Sequence, residues 1–209
     1  MSTKPFEMRE EAGYYVIEFQ HKAWTMSSAP FNGGCGLRST YINRHVDSNY
    51  SHEVRTEVES FLKRQNLATE DTVVTLTAAD VSRYVHASKH VEGWHIDIFL
   101  TAGFDNAISI GNRFGKPGTI NIAVVTDMPL SEAAMVNMMQ SMVEAKSQFM
   151  NDYGIKDIRT GKPAPGTSTD TVSLFVVNSE GNIDYAGRLT EAGYYTSMMV
   201  YNALALSYR

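Results

Sequence analysis

The sequence predicts an α+β fold, in which one or more mixed β-sheets are covered by a few helices within a single compact domain. Three observations support this prediction. Segments rich in β-favouring residues recur along the chain, few stretches have the spacing of an amphipathic helix, and the two kinds of segment alternate irregularly rather than as βαβ units. A chain of 209 residues is long enough to bury one sizeable core. We therefore expect an N-terminal tail over residues 1–12 and one domain over residues 13–209.

The N-terminal half of the chain is rich in strand-forming residues. Strands are predicted over residues 13–19, 22–26, 37–46 and 72–78, and the first two fit a hairpin. Ser51 fits the cap of a helix with one apolar face, which is formed by Val54, Val58, Phe61 and Leu62. Residues 80–93 fit either a short strand or a turn of helix.

The C-terminal half contains the two longest predicted helices, among strands over residues 94–101, 119–126 and 172–177. One helix spans residues 131–153, because apolar side chains recur there at alternating three- and four-residue steps, at Met135, Met138, Met142, Ala145 and Phe149. This methionine stripe fits the core better than a subunit interface, and a homo-oligomer stays open. Thr190 fits the cap of a final helix that runs almost to the C-terminus.

Charge and cysteine content exclude several classes of protein. The net charge is −5 with acidic and basic residues interspersed, so the chain lacks the basic patch of nucleic-acid-binding proteins. No segment has the length of a transmembrane helix, and the first residues lack the apolar core of a secretion signal. Cys35 is the only cysteine, which excludes an internal disulfide and a thiolate cluster for zinc. We expect a cytoplasmic protein without nucleic-acid or membrane partners.

The segment Gly166-Thr-Ser-Thr-Asp-Thr171 combines a glycine, hydroxyls and a carboxylate where a loop enters a predicted strand. Loop residues held by a rigid element are favoured functional positions. Thr167, Thr169 and Asp170 are therefore candidate catalytic residues, and Gly166 a candidate for exposing backbone groups to a ligand. The alternative is that these hydroxyls only complete a turn by binding backbone groups.

On the long helix, Lys146 borders the methionine stripe, whereas Glu144 lies on the far side of the helix. Lys146 is therefore the better placed to reach under a sheet edge, where it could stabilise an oxyanion or protonate a leaving amine. Its usual role at such a border is to lay its stem on apolar surface and keep its ammonium in water.

Polar residues near glycines suggest a neutral rim around a pocket. Asparagine side chains can exchange two hydrogen bonds with an amide on a ligand, and turn formation is the alternative role. With nearby hydroxyls and glycines they give the candidate substrate-binding set, namely Ser28, Asn32, Gly33, Gly34, Asn106, Thr119, Asn121 and Gly166. Such a rim suits a ligand rich in neutral amides.

Histidines raise the question of a metal site, since the chain has 6 of them. His86 and His90 would share a face if their segment were helical, and His95 would join them only if the chain folded back. No nearby pair of carboxylates completes a recognisable ligand set, so surface histidines are the favoured interpretation. Cys35 lies between glycines and is interpreted as a loop residue. We assign no metal ligand and expect no cofactor.

Several of these segments, taken in order, resemble the adenosylcobinamide amidohydrolase family. They are Leu76-Thr-Ala-Ala, Thr101-Ala-Gly with Asn106-Ala, Gly118-Thr-Ile-Asn, Glu144-Ala-Lys and Gly166-Thr-Ser-Thr-Asp. Ser27-Ser-Ala-Pro with Gly33-Gly also resembles the family's first loop. The resemblance runs from about Tyr14 to near the C-terminus, and the number, order and spacing of its motifs are specific.

The resemblance implies a reaction on a corrinoid. Such enzymes hydrolyse the amide that joins the propionyl side chain of the corrin ring to its aminopropanol linker, and release adenosylcobyric acid and 1-amino-2-propanol in coenzyme B12 salvage. The chain lacks the Asp-x-His-x-x-Gly pattern by which many B12-dependent enzymes bind cobalt, so the corrinoid would be a substrate rather than a cofactor. Neutral amides around the ring suit asparagine side chains and glycine-exposed backbone groups.

Amide hydrolysis needs a nucleophile, donors for the oxyanion and an acid for the departing amine. Thr167 or Thr169 is the candidate nucleophile, and water is an equal alternative. Asp170 would orient or deprotonate the nucleophile, and Lys146 or a loop amide would stabilise the oxyanion.

Two other hypotheses stay open. One is a corrinoid-binding or trafficking module that binds without hydrolysis. The other is a metal-dependent amidase in which His86, His90 or His95 activates water.

Overall fold

Strands contribute more residues to the fold than α-helices do, and the helices cover the strands on both sides. The structure, a computed structural model, describes residues 4–178 and 181–208. The strands within those residues are β1 (Phe6–Glu11), β2 (Tyr14–Ser27), β3 (Gly34–His45), β4 (Thr72–Thr77), β5 (Val85–Val91), β6 (Trp94–Ala102), β7 (Ala107–Ile108), β8 (Ile120–Thr126), β9 (Gly166–Thr167) and β10 (Thr171–Val176). The helices are α1 (Val54–Arg64), α2 (Glu132–Asp152) and α3 (Glu191–Ser207).

The long strand β2 joins the two halves of the sheet. One of its edges pairs with β3, and its other edge pairs with β1 near its start and with β10 near its end. The register between β2 and β3 shifts between Glu18 and Ala23, an irregularity of the kind that bends a strand. The predicted hairpin of two short strands is therefore wrong, because residues 19–22 continue β2 through the bend instead of forming a turn.

The main sheet is mixed, as the sequence predicts. Its strand order is β4-β3-β2-β10-β8-β6-β5, with β1 beside the first part of β2. The pairs β3–β4 and β8–β10 are parallel, and the other pairs are antiparallel. A separate small sheet consists of β7 and β9. The predicted α+β class with a single compact domain is confirmed.

Side chains alternate between the faces of the sheet and form three apolar clusters. The first lies between the two sheet halves and includes Phe6, Tyr15, Ile17, Tyr41, Phe99 and Phe175. The second joins β2, β3 and β4 to α1 and includes Val16, Ile42, Phe61, Leu62 and Val74. The third joins the other half of the sheet to α2 and α3 and includes Ile98, Ile122, Leu174, Met138 and Val200. From one side of the fold to the other, the layers are therefore α1, the half of the sheet that contains β3 and β4, the other half of the sheet, and finally α2 with α3.

The two C-terminal helices begin where the sequence predicts. Ser131 caps α2 by accepting a hydrogen bond from the amide of Ala134, and Thr190 caps α3 in the same way through Gly193. The whole methionine stripe of α2 is buried against the sheet. Fully burying one such side chain stabilises the fold by about 1.5–3 kcal/mol relative to leaving it exposed. The stripe is therefore a core face.

The structure corrects two local expectations and resolves a third. Residues 6–11 of the expected tail form β1, because their alternating apolar side chains extend the sheet; residues 1–3 lie outside the described part of the chain. The cap of α1 is Glu53 rather than Ser51, since the Glu53 carboxylate accepts from two amides of the first turn. Residues 80–93 combine a short 3-10 turn with the strand β5.

Among the described residues, no helix is both long enough and apolar enough to cross a membrane.

Candidate active site

Segments that are distant in sequence meet at one end of the sheet. β8 and β10 are parallel neighbours in which Asn121 pairs with Thr171, so the residues just before them, Thr119 and Asp170, approach each other. The small β7–β9 sheet adds Thr167 to the same region. The loop segments in which the sequence predicts chemistry are thus brought together by strand pairing.

Asp170 is the residue that ties this region together. Its carboxylate accepts hydrogen bonds from the backbone amides of Thr167 and Ile120, each at 3.0 Å, and from the Thr167 hydroxyl. Lys146 of α2 completes the set with an ion pair to the same carboxylate. The side chains of Lys146 and Asp170 are only 10% and 11% exposed, so the pair is mostly shielded from water.

Gly166 makes the ion pair sterically possible. A Cβ atom at this position would lie 2.5 Å from Lys146 Nζ and even closer to the carboxylate of Asp170. No other amino acid fits without moving the pair. The glycine of the Gly166–Thr171 segment therefore makes room for two buried charges, and it does so without a positive φ.

Thr119 and Thr169 form a pair of hydroxyls beside the Gly118 peptide. Their Oγ1 atoms are 2.8 Å apart. The carbonyl oxygen of Gly118 accepts from both the backbone amide of Thr169, at 3.2 Å, and its hydroxyl, at 2.6 Å. Gly118 has no room for a side chain, because a Cβ would lie 2.7 Å from Cβ of Asn106.

Proton counting orients the hydroxyl pair. A threonine hydroxyl has a single proton, and Thr169 donates its proton to the Gly118 carbonyl. Thr119 must therefore be the donor in the Thr119–Thr169 pair. Within residues 4–178 and 181–208 no other hydrogen bond reaches the Thr119 oxygen. Its lone pairs are free to meet a ligand.

These hydroxyls open into a cleft of about 390 Å³, which we call the strand-end cleft. A volume of this size lies within the range of small-molecule sites, roughly 300–1,000 Å³. The cleft is lined by Ser28, Pro30, Val46, Asp47, Ser48, Tyr50, Val54, Leu76, Thr77, Ala78, Pro117, Thr119, Thr169, Asp170 and Thr171. Hydroxyl groups and apolar side chains dominate this lining.

Asp157 organises the loops behind the cleft. Its buried carboxylate accepts from the amide and hydroxyl of Ser109 and from the side chain of Asn112, at 2.7 to 3.0 Å. These hydrogen bonds, of which the one from the Ser109 amide has the largest effect, hold the pKa of Asp157 well below its usual range. Burial alone would raise this pKa. The loop that precedes Pro117 and Gly118 is thereby fixed to the loop that follows α2.

A comparison with protein families identifies the chain. The family model described as adenosylcobinamide amidohydrolase matches residues 2–209. The chain belongs to the adenosylcobinamide amidohydrolase family. The resemblance found in the sequence is thus confirmed, and the protein is a hydrolase that acts on amide bonds.

Relatives of this amidohydrolase occur in Methanosarcina mazei and Methanocaldococcus jannaschii. An adenosylcobinamide amidohydrolase of Methanosarcina mazei is 28% identical over 173 residues, which is 79% of this chain and 80% of that one. An uncharacterized protein of Methanocaldococcus jannaschii is 24% identical over 215 residues, covering 89% and 82% of the two chains. A crystal structure of a protein from Pyrococcus horikoshii matches with a TM-score of 0.51 and 10% identity, over 93% and 76% of the chains. The last similarity shows a shared fold alone.

The structure of this amidohydrolase separates the expected catalytic residues into two groups. Thr169 and Asp170 line the strand-end cleft. Thr167 and Lys146 are not in its lining, and both are bound to the carboxylate of Asp170. Which of these residues act in catalysis stays a prediction.

The expected substrate-binding residues are divided in the same way. Ser28 and Thr119 line the cleft, and Gly166 lies behind Asp170. The others are not in the lining and have structural contacts instead, namely Asn32, Gly33, Gly34, Asn106 and Asn121.

Asparagine side chains serve the fold rather than the cleft surface. The amide of Asn32 donates to the carbonyl oxygens of Thr69 and Thr72, at 2.7 and 3.0 Å, and thereby fixes the first loop to the start of β4. The amide of Asn106 donates to the carbonyl oxygen of Pro117 at 3.0 Å. The cleft lining therefore contains hydroxyls of the expected neutral rim but neither of these two asparagines.

The neighbouring glycines have backbone roles. Gly33 lies too close to the carbonyl oxygens of Ala29 and Ser27 to accept a side chain. Gly34 has a φ of +83°, which favours glycine. Both positions shape the first loop, whose residues Ser28 and Pro30 reach the cleft.

Asn121 is fully buried at the centre of a polar network behind the cleft. Its amide group donates to Asn43 Oδ1 at 2.8 Å and to the carbonyl oxygen of Leu76 at 3.0 Å, and its own Oδ1 accepts from the Thr171 hydroxyl at 2.8 Å. Asn43 in turn donates to Thr101 at 2.8 Å. The network crosses between the two sheet halves, so Asn121 positions cleft residues from behind.

The three histidines considered as metal ligands lie on the β5–β6 hairpin, and none of the three is in the cleft lining. His86 Nε2 lies 2.8 Å from the carboxylate of Asp97, and its ring stacks on Phe99. His90 lies opposite His95 across the hairpin. Among the described residues, no group of three or more histidine, cysteine, aspartate and glutamate side chains is arranged to hold a metal ion. The expectation that no metal is needed stays a prediction, with the metal-dependent amidase as its alternative.

Two remaining candidates lie on the surface. Cys35 is an exposed free thiol on strand β3, where it pairs with Met26, and is therefore not the loop residue that the sequence suggested. Glu144 forms an exposed ion pair with Arg188 at 2.7 Å. Neither residue is in the lining of the strand-end cleft.

One wall of the cleft was missed by sequence reasoning. It comes from the loop after β3 and the start of α1, and contributes Val46, Asp47, Ser48, Tyr50 and Val54. The signal available was a polar run between a predicted strand and a predicted helix, a common position for binding loops. The segment Leu76–Ala78, which also lines the cleft, carried the family resemblance without being given a role.

Proposed function

We propose that this amidohydrolase cleaves the amide between the propionyl side chain of adenosylcobinamide and its aminopropanol linker. The products would be adenosylcobyric acid and 1-amino-2-propanol, in corrinoid salvage. Family membership supports an amide substrate, and the name of the Methanosarcina mazei relative supports this corrinoid as the specific one. The observation that carries the proposal is the free face of the Thr119 hydroxyl in the strand-end cleft.

The volume of the cleft suggests how such a substrate binds. A complete corrinoid with its adenosyl group is much larger than a cleft of about 390 Å³. The linker and the scissile amide are of a size that the cleft can hold, so we place them inside and the ring at its mouth. The hydroxyl groups of the lining are suitable partners for the amides that surround the ring.

Thr119 is the residue that we assign to the reacting carbonyl. Its oxygen would form a bond to the carbonyl carbon, the C–N bond would break, and the proton released by the hydroxyl would end on the departing amine. Water would then hydrolyse the resulting ester and restore the hydroxyl. Thr169 would hold the Thr119 hydroxyl in place through the 2.8 Å hydrogen bond. A water molecule held by the same two hydroxyls is the alternative nucleophile.

Asp170 and Lys146 are assigned a positioning role. The carboxylate of Asp170 already accepts four hydrogen bonds, including the one from Lys146, so its oxygens have little capacity left to bind substrate or water. By binding Ile120 and Thr167 it holds the ends of β8 and β9, and with them Thr119, in place. This proposal moves the nucleophile from Thr167 or Thr169 to Thr119.

The decisive experiment is incubation with adenosylcobinamide followed by mass detection of both fragments. In water enriched in oxygen-18, hydrolysis predicts one heavy oxygen in the carboxylate of adenosylcobyric acid. Rapid quenching of the reaction at high enzyme concentration tests for the ester intermediate. A trapped acyl-enzyme would be heavier than the free chain by the mass of the corrinoid acyl group. Tight binding without release of either fragment would instead support a corrinoid-binding or trafficking module.

The compartment and the cofactor requirement belong to the same proposal. We place the reaction in the cytoplasm, because an exposed free cysteine suits a reducing environment. The corrinoid is treated as substrate and no further cofactor is invoked. Full activity after exhaustive chelation is expected, and loss that zinc or another divalent ion restores would support the metal-dependent alternative.

A further inference from the structure

We infer that the strand-end cleft selects linkers that end in a neutral hydroxyl and discriminates against the phosphate ester of the same linker, and that Asp47 sets this preference. The inference rests on the proposed function. It concerns the charge of the group that leaves, which the proposal above does not address.

The charges of the cleft lining carry the inference. Asp47 and Asp170 are its two ionisable carboxylates, and no lysine, arginine or histidine is among its described lining residues. Asp170 is neutralised by Lys146. Asp47 is exposed, and no side-chain hydrogen bond or ion pair to its carboxylate occurs within the described residues. The cleft therefore presents one uncompensated negative charge to its contents.

Sites that accept phosphate have the opposite character. They use arginine or lysine side chains, or the free amides at the start of a helix. Helix α1 begins beside the cleft at Val54, but its first amides are already bound by the Glu53 carboxylate, which accepts from Arg55 and Thr56 at 3.0 and 2.7 Å. The helix end nearest the cleft is thus closed to an anion by a side chain that is itself negative.

We expect Coulomb repulsion across the cleft to affect binding. Charges near a protein surface interact through an effective dielectric constant of about 20, well below that of water. A phosphate monoester carries up to two negative charges at neutral pH. The net charge of −5 on the chain adds to the repulsion. A linker that ends in a neutral hydroxyl is not repelled, and the Asp47 carboxylate can accept a hydrogen bond from that hydroxyl.

The test compares the two substrates in the same protein. The values of kcat/KM and of the dissociation constant are measured for adenosylcobinamide and for its linker phosphate, at low and at high salt. We expect the neutral linker to be favoured about tenfold or more, which corresponds to roughly 1.4 kcal/mol. High salt should reduce the preference, because ions screen the repulsion.

Two variants identify the residue responsible. Asp47→Asn removes the charge with almost no change in size. The kcat/KM for the linker phosphate, divided by the kcat/KM for adenosylcobinamide, should then rise about tenfold. Glu59→Gln on the exposed face of α1 changes the net charge equally but outside the cleft, and should leave the ratio unchanged. Lys116→Ala asks whether this basic residue, which precedes Pro117 of the lining, contributes; removing it should only increase the preference.

The outcomes separate the inference from the proposed function. Equal use of both substrates by the parent protein, or equal effects of the Asp47 and Glu59 variants, would overturn the inference while leaving the amidase proposal intact. Cleavage of neither substrate would overturn the proposed function. In that case the dissociation constants still decide whether the cleft prefers the neutral linker.

Discussion

Lys146 and Asp170 form a buried ion pair that connects helix α2 to the segment before β10. They are 24 residues apart in the chain, and each side chain is about nine-tenths shielded from solvent. Because Asp170 also binds the amides of Ile120 and Thr167, the pair connects four elements, namely α2, β8, β9 and β10. The amino ends of β8 and β10 are held at this point.

Breaking the pair should destabilise the fold. Lys146→Met and Asp170→Asn each leave a buried polar partner without its counterpart, which typically costs about 3–5 kcal/mol. The free energy of unfolding in urea measures the loss. The double variant should lose less than the sum of the two single losses, because both remove the same interaction. Single losses below about 1 kcal/mol would mean that the pair contributes as little as a surface pair.

Two replacements of Thr119 should show whether activity depends on its hydroxyl or on its shape. Thr119→Val keeps the shape and removes the hydroxyl, and we expect kcat to fall by about 10² or more, as for the loss of a single transition-state contact. Thr119→Ser keeps the hydroxyl and should retain most of the activity. The rate of adenosylcobyric acid release from folded protein measures both.

Thr167→Ala is the matched control for Thr119, because its hydroxyl binds Asp170 and is not in the cleft lining. Its effect on kcat should be smaller than that of Thr119→Val. If Thr167→Ala proves the more damaging of the two, the nucleophile belongs to the Gly166–Thr171 segment, as the sequence first suggested.

Gly118 should not tolerate a side chain. A Cβ there would lie 2.7 Å from Asn106 and 3.2 Å from Thr167, so Gly118→Ala must displace the loop next to Thr119. Overpacking of this kind costs about 1–3 kcal/mol, and we expect activity to fall with it. Gly115→Ala in the same loop is the control, since its Cβ would meet only Ile108 at an ordinary 3.9 Å. Thermal unfolding and activity assays should show a difference between the two variants.

Asn121 should matter for stability more than Asn106 does. Asn121→Ala leaves buried partners in Asn43, Leu76 and Thr171 unsatisfied, at about 1–3 kcal/mol for each group that finds no substitute. Asn106→Ala removes one hydrogen bond to an exposed loop carbonyl. Urea denaturation of the two variants tests the order, and similar losses would show that the network repacks around the missing amide.

Asp157 should make stability depend on pH in the acid range. Its pKa is lowered in the folded protein, so its contribution is fully present above the unfolded pKa of about 4 and is lost as the pH falls towards the folded value. Asp157→Asn cannot ionise, and its free energy of unfolding should fall less steeply between about pH 5 and pH 2. Urea unfolding across that range measures both slopes. Parallel curves for the two proteins would contradict the assignment.

Local signals explain why most elements could be predicted. Ser131 and Thr190 cap their helices through hydrogen bonds to residues three positions further on, so the sequence itself contains both partners. The methionine stripe likewise records which face of α2 is buried. The bend in β2 and the pairing of residues 6–11 depend on strands elsewhere in the chain, and no local pattern marks them.

The candidate site depends even more on contacts between distant parts of the chain, which no local sequence pattern reveals. The sequence places threonines, an aspartate and a lysine near one another only through motif order, and it cannot tell which hydroxyl is already bound. Thr167 is bound to Asp170 and Thr169 to Gly118, which leaves Thr119 with the free oxygen. The burial of Asn121 follows from the strand order, which the sequence alone does not reveal. Its amide was therefore predicted to bind a ligand. Each role depends on contacts across 45 or more residues, except that of Thr167.

The position of β10 in the sheet has a consequence for the newly made chain. This strand lies between β2 and β8, yet it is the last of all the described strands to leave the ribosome. Until then the first 170 residues carry two open strand edges that face each other, and such edges attract other chains. A fragment that stops before residue 171 should therefore aggregate rather than accumulate as a smaller folded unit.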